Sequence, residues 1–266
     1  MRKLTLELSR SAIVRKAVKF LRLHLLVNWW LRHFPVVKTL PGTGIRYRAR
    51  RVESLGLSVQ ILDENSLYSI PDVPGGIRTF ADLGCNVGYF TLRLCQQMKS
   101  TQLKGLMVDA NAEAIEDAQW HITTNHLSNV HALQGLVGTR EKGGQANFFV
   151  HTSNVCSTAA PPENSLKDAN TWTRVQVPCI GVEENWRKFF GDERCDLAKI
   201  DIEGSEMDFF RNETDFLRRV QTIIIEWHKW KVSLDEIKQF LSAQGFSLKS
   251  ILHEDSEFGT AIFSRS

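Results

Sequence analysis

The ten residues Ala81-Asp82-Leu83-Gly84-Cys85-Asn86-Val87-Gly88-Tyr89-Phe90 constrain this chain more than any other stretch. An apolar run over 79–83 stops at Gly84, and a helical pattern starts near Tyr89. Glycines between a strand and a helix let the backbone take positive φ and approach a ligand closely. A dinucleotide fold calls for G-x-G-x-x-G, so that a pyrophosphate can sit on the helix N-terminus. The spacing here is G-x-x-x-G, preceded by Asp82. That suits a ligand without a pyrophosphate and offers a carboxylate to a cationic amine. Asp109 ends the next strand pattern, where a carboxylate can accept hydrogen bonds from both hydroxyls of a ribose. Turn and acid together point to an adenosine-containing ligand.

From Arg78 onward strand and helix signals alternate. Strands are expected at 79–83, 106–108, 130–133, 148–150, 175–179, 197–200 and 222–225, and helices at 89–98, 112–124, 182–190, 206–216 and 234–243. Residues 246–252 and 258–263 form a closing antiparallel pair. Repeated βα units imply a mostly parallel sheet with helices on both faces. In such sheets the ligand lies beyond the carboxyl ends of the strands.

Asp201, Glu203 and Glu206 fall at one strand end and the start of the following helix, where the backbone dipole favours carboxylates. The strand before Asp201 aims it into the cleft, opposite the glycine turn. The next strand ends in Glu226-Trp227-His228-Lys229-Trp230. His228, with an ordinary pKa of about 6.5, is the expected general base. Asp201 or Glu226 can orient it or act instead. Trp227 and Trp230 either stack on a sugar ring or pack in the core or a lid. Asp201, Glu203 and Glu226 are hard oxygen donors, but nothing in their spacing requires a metal. The polar loop 152–170 is long for a compact domain. Its Ser153, Asn154, Ser157 and Thr158 can hydrogen-bond an acceptor as part of a lid.

The first fifty residues differ from the rest. They hold twelve Lys or Arg and one acid, Glu7, on a chain whose net charge is only +3. A basic arm on an acidic body implies an anionic partner: a membrane surface, a lipid-linked glycan or nucleic acid. Ile13, Ala17, Phe20, Leu21, Leu25 and Trp29 recur at helical spacing, so residues 4–34 read as one or two basic amphipathic helices. Their longest stretch without a formal charge, 23–31, is too short to span a bilayer. The basic residues run through the apolar part, unlike those of a secretory signal. The helix packs its Leu/Trp face on the body or on a second subunit, or lies on anionic lipid with Trp29 and Trp30 at headgroup level. Pro35, Pro41, Gly42 and Gly44 mark a linker. The expected division is an arm and linker over 1–44 and one domain over 45–266. Residues 45–70 alternate weakly and suggest a short β-element or lid. Five scattered cysteines without a C-x-x-C pair read as reduced thiols of a cytoplasmic protein, free or peripheral at the membrane.

Three stretches resemble the class I S-adenosylmethionine-dependent methyltransferases and, more narrowly, the FkbM family. They are Asp82-Leu83-Gly84-Cys85-Asn86-Val87-Gly88, Val108-Asp109-Ala110-Asn111 with Asn125 downstream, and Leu197 to Glu206 with its K-x-D-x-E-G-x-E segment. The resemblance covers roughly residues 45–264 and excludes the arm. The family often has an acid followed by Pro where this chain has Asp109-Ala110; the acid is kept. The resemblance implies a Rossmann-like α/β fold with a seven-stranded, mostly parallel sheet and an antiparallel last strand. It implies S-adenosylmethionine as methyl donor and O-methylation of a small molecule or sugar. By position, Asp82, Gly84, Asn86 and Gly88 would line the methionine part and Asp109 the ribose. Adenine would lie against Gln134, Gly135 and Leu136.

Other functions stand behind this one. A nucleic-acid methyltransferase is favoured by the basic arm, but no Asn-Pro-Pro-Tyr-type segment is present to hold a base amine. A nicotinamide oxidoreductase has the wrong glycine spacing. An inactive scaffold on the same fold would have no need of Asp82, Gly84, Gly88 and Asp109 together. A homodimer through the Trp-bearing helix is a further possibility.

Overall fold

The computed structural model describes residues 23–62, 70, 73, 75–140, 142–151, 158–159 and 172–265. Helix α1 (Leu23–His33) leads into a two-stranded antiparallel hairpin, β1 (Val36–Thr39) and β2 (Arg46–Ala49), and then helix α2 (Val52–Leu62). The body follows as β3 (Thr79–Leu83), α3 (Tyr89–Met98), β4 (Lys104–Asp109), α4 (Ala112–Thr124) and β5 (Val130–Gln134). A second hairpin, β6 (Gln145–His151) and β7 (Trp172–Pro178), interrupts it. The chain closes with α5 (Val182–Phe190), β8 (Cys195–Ile200), α6 (Glu206–Asn212), α7 (Thr214–Leu217), β9 (Val220–His228), α8 (Leu234–Ala243), β10 (Phe246–Glu254) and β11 (Phe258–Arg265).

Seven strands form one sheet in the order β10-β11-β9-β8-β3-β4-β5. The five from β9 to β5 are parallel to their neighbours, and β11 runs antiparallel between β9 and β10. The strand order reverses beside β3, so β3 and β8 diverge in their connections and leave a crevice at their carboxyl ends.

Strand periodicity builds the two cores. Successive residues point to opposite faces. Phe80, Met107, Leu197 and Ile224 pack on one face with Phe90, Leu94 and Ala118 of α3 and α4. Ala81, Val108, Ala198, Ile223 and Ile225 pack on the other with Trp186, Phe209, Phe210 and Leu241. Every residue of β3 is buried, as a central parallel strand covered on both sides must be. The four cysteines among the described residues are buried free thiols.

Four expectations change. Residues 35–44 are not a linker: Val36–Thr39 pairs with Arg46–Ala49, and the boundary drawn after residue 44 falls inside this hairpin's loop. Residues 52–62 are a helix, because Leu57 and Ile61 are i, i+4 neighbours rather than members of an alternating strand. The helix expected over 206–216 breaks at Glu213. Its buried carboxylate accepts the backbone N–H groups of Val182 at 3.1 Å and Glu183 at 3.4 Å, capping α5, whose N-cap glycine has no side chain to do so. Finally, β6 and β7 leave the main sheet and pair with each other. Within the arm, Ile13, Ala17, Phe20 and Leu21 lie outside the described residues. No helix among the described residues is long and apolar enough to cross a membrane.

Candidate functional site

The turn after β3 is held by β4. Gly84 and Cys85 both donate their N–H groups to the Val108 carbonyl, at 2.9 and 3.0 Å. Gly84 sits at φ +71°, and a Cβ there would collide with the Asp201 carbonyl oxygen. This glycine therefore lets the ends of β3 and β8 touch, and Asp201 N–H donates to the Leu83 carbonyl at 3.0 Å. Gly88, at φ +86°, is the N-cap of α3; a Cβ there would lie 2.6 Å from Met107 Cε.

Asp109 organises the opposite wall. One carboxylate oxygen accepts Asn86 N–H and the other accepts Asn111 N–H, both at 2.8 Å. Burial pushes the Asp109 pKa up to about 6, against the opposing pull of these two hydrogen bonds. Asn111 in turn caps α4, accepting Glu113 N–H at 3.0 Å.

A cavity partly open to solvent lies over these strand ends. The turn contributes Gly84, Asn86 and Val87; β4 contributes Val108 and Asp109; the segment after β5 contributes Gly135, Leu136 and Val137. Lys199, Asp201, Ile202 and Glu203 enter from β8 and its following loop, and Glu226 from β9. Leu57, Gln60 and Ile61 of α2, Phe148 of β6 and Phe258 of β11 also line it.

Of the expected site residues, the structure thus brings Gly84, Asn86, Asp109, Leu136, Asp201 and Glu226 to one cavity. It does not bring Asp82, Gly88 or His228 to its surface. Asp82 is fully buried in β3, accepting from Thr91 Oγ1 at 3.0 Å and lying 3.7 Å from Lys199 Nζ. Its carboxylate does meet a cationic amine, but that amine belongs to the chain itself. Gly88 serves helix packing. Gln134 turns its amide to the Ala110 carbonyl at 3.3 Å.

His228 is corrected more sharply. It belongs to β9 rather than to a loop after it, and it is buried. Nδ1 lies 3.0 Å from Glu206 Oε1, Nε2 lies 3.2 Å from Glu203 Oε2, and Glu226 Oε1 is 3.9 Å from Nε2. Burial alone would lower its pKa, but hydrogen bonds to Glu203 and Glu206 raise it to about 11. With both ring nitrogens against carboxylates, His228 sits behind the cavity as a partner of Glu203 and Glu206 rather than facing a substrate. Glu206 is fully buried and also accepts Gly204 N–H at 2.9 Å. Ligand atoms of Asp201, Glu203 and His228 lie within 4.8 Å of one another, close enough to share a cation. Both His228 ring nitrogens face carboxylates, Nδ1 toward Glu206 and Nε2 toward Glu203.

Of the loop residues, Ser153, Asn154 and Ser157 lie outside the described residues. Thr158 is buried and donates its hydroxyl to the Glu203 carbonyl at 2.7 Å. Trp227 is fully buried in the core, whereas Trp230 is partly exposed and lies over Gly204.

Lys199 joins the cavity although its place in the sequence did not single it out. Its buried ammonium donates to the Gly84 carbonyl at 2.7 Å and meets Asp201 Oδ2 at 3.1 Å. Burial opposes the charge, but Asp201, Asp82 and Glu226 outweigh it and raise the pKa. The signal was a lone Lys in an otherwise apolar strand, Leu197-Ala198-Lys199-Ile200, which has to be paired to be buried.

The chain matches the family described as "Methyltransferase FkbM domain" over residues 82–248, more than half its length. Among solved structures it is similar to methyltransferase FkbM from Methylobacillus flagellatus, at 14% identity and a TM-score of 0.45, covering 71% of this chain and 43% of that one. TrmK of M. capricolum, solved with S-adenosyl-homocysteine, is similar at 12% identity and a TM-score of 0.42, covering 70% of this chain and 62% of that one. TYW2 of M. jannaschii, solved with AdoMet, is similar at 11% identity and a TM-score of 0.44, covering 87% of each chain. This chain therefore spans less than two thirds of the first two structures. No curated protein matches it.

Proposed function

The chain belongs to the FkbM methyltransferase family, and from that premise we propose that it methylates a hydroxyl group of a small molecule or a sugar. It is an S-adenosylmethionine-dependent methyltransferase. The cavity suits that donor: a carboxylate stands at the end of β4, beside a glycine turn, with Val108, Leu136 and Val137 as apolar walls. Asp109 would receive the ribose hydroxyls on the lone pairs its two backbone N–H partners leave over. Leu136 would flank the adenine, and Gly84 and Asn86 would hold the methionine part. The bound donor supplies a methyl group already activated on a sulfonium.

The observation that carries the hydroxyl reading is the placement of Asp201 and Glu226 in the same cavity as Asp109. In-line displacement gains most from alignment. The hydroxyl that accepts the methyl group would lose its proton to a carboxylate, Asp201 or Glu226. Lys199 fixes Asp201 beside the glycine turn. His228, as an imidazolium, positions Glu203 and Glu206 and takes no proton.

Methyl-labelled S-adenosylmethionine and a panel of glycosides, sugars and small alcohols test this. The expected product is an O-methyl ether located by NMR. Asp201→Asn or Glu226→Gln, whichever removes the base, is expected to lower kcat by about 100-fold or more with donor affinity little changed. Label found on nitrogen or carbon, or kcat unchanged in both variants, contradicts the assignment.

A further inference from the structure

Helix α1 wears its amphipathic faces in reverse. A surface helix normally turns its apolar stripe to the core and its polar side to water. Here Asn28 faces the body, donating to Glu53 Oε2 at 3.3 Å and accepting Val52 N–H at 2.9 Å, and Arg32 binds Glu113 at 3.1 Å. Leu31 alone among the large apolar side chains described in α1 is buried. Leu25, Leu26, Val27, Trp29, Trp30 and Phe34 point outward; Trp29 is 60% exposed and Trp30 51%. Aromatic rings meet in tilted pairs along this outer face, Trp29 with His33 at 4.7 Å and Trp30 with Phe34 at 5.6 Å between centroids. Six of the eleven exposed large hydrophobics of the described chain fall within ten consecutive residues. A contiguous patch of this kind marks an interaction surface.

Charge identifies the occupant. Residues 1–22, which lead into α1, carry seven Lys or Arg and one acid in their sequence. Exposed Trp, Phe and Leu next to a block of positive charge match the two terms of binding to an anionic lipid interface: apolar burial below the headgroups and attraction to them. A second copy of the chain would bring like charges together, and an RNA would leave the apolar face in water.

We propose that α1 docks this protein on an anionic membrane surface, with Trp29, Trp30 and Phe34 at headgroup level. The cavity is only one helix away. Asn28 joins α1 to the start of α2, and Leu57, Gln60 and Ile61 of α2 line the cavity. Packed helix axes lie about 10 Å apart, so docking sets the cavity rim close to the lipid.

Flotation of the full chain with two kinds of vesicle tests the proposal: phosphatidylcholine alone, and phosphatidylcholine with phosphatidylserine. Binding to the serine-containing vesicles is expected, at least about tenfold tighter than to the neutral ones and weakened by salt. Trp29→Ser with Trp30→Ser is expected to lose most of it. S-adenosylhomocysteine affinity should be unchanged in that variant, which shows that it folds and keeps this test separate from that of the methyltransferase activity. No binding to the anionic vesicles overturns the proposal. So does undiminished binding by the folded double variant. A salt-stable dimer or tight RNA binding that needs the two tryptophans, without vesicle binding, also overturns it.

Discussion

Asp109 is held between two backbone N–H groups at the edge of the cavity, and burial lifts its pKa to about 6. The ionised carboxylate is the form that accepts two ribose hydroxyls. Protonation turns one oxygen into a donor, so affinity for S-adenosylhomocysteine is expected to fall below about pH 6, approaching tenfold per pH unit. Asp109→Asn should remove that slope; calorimetric titration across pH 4.5 to 8, as a rough span, decides it. His228 behaves in the opposite sense. Its native pKa, about 11, lies above the ordinary 6.5, so the native state keeps a proton that the unfolded chain loses. The stabilisation is full below pH 6.5 and declines as pH rises toward 11. The gap in unfolding free energy between the wild type and His228→Gln is expected to narrow from pH 6 to pH 9, measured by urea denaturation; a constant gap would contradict the ion pair. Lys199→Met should cost about 3 to 5 kcal/mol, because Asp82 would be left fully buried and uncompensated. A loss under about 1 kcal/mol in the same measurement would mean that Asp82 is neutral without it. At this scale the placement of Asp109, Asp201 and Glu226 at one cavity was legible because strand ends can be read from apolar runs. The burial of Asp82 and His228 was not. Which lone pairs remain open depends on partners distant in the chain, such as Thr91 for Asp82 and Glu203 and Glu206 for His228.

The turn from β3 into α3 was legible because it is local: two glycines and an acid within seven residues dictate positive φ and a close approach. Its tightest requirement was not legible. Gly84 is needed less for a ligand than for the Asp201 carbonyl, 117 residues later, which occupies the space a side chain would take. Gly84→Ala is expected to lose about 3 kcal/mol or more of stability, visible as a lowered Tm. Near-native stability would show that β3 and β8 can separate without cost. Helix α4 was read to the residue because its cap, Asn111, and its apolar spacing agree. Helix α2 was not, since Leu57, Val59 and Ile61 imitate a strand; of these three Val59 is exposed, while the i, i+4 pair Leu57 and Ile61 reaches the cavity. The β6–β7 hairpin shows the same limit. Its strands were legible, but their departure from the main sheet depends on which partner they find.

Over the whole molecule the charge asymmetry has two components. Arg48 and Arg50 of the basic N-terminal region pair with Asp117, Arg50 also pairs with Glu116, and Arg32 and Arg51 meet Glu113. Helix α4 thus neutralises part of the charge that the sequence alone assigns to an outside partner. Neutral His121 fastens the same seam: burial lowers its pKa to about 4, Nδ1 lies 2.8 Å from the Val87 carbonyl, and Nε2 accepts Arg48 N–H at 2.9 Å. The β1–β2 hairpin is therefore part of the wall behind the donor turn, and Tyr89 donates to the Arg48 carbonyl at 2.8 Å from the other side. All of this serves one cavity, so donor binding is the claim on which the rest depends. The most direct test is calorimetric titration of the folded chain with S-adenosylhomocysteine, beside Asp109→Ala with its Tm as a folding control. Micromolar binding by the wild type is expected, weakened by about 100-fold in the variant through loss of hydrogen bonds to a charged acceptor. No binding by a folded wild type, or equal binding by Asp109→Ala, would contradict this account of the site.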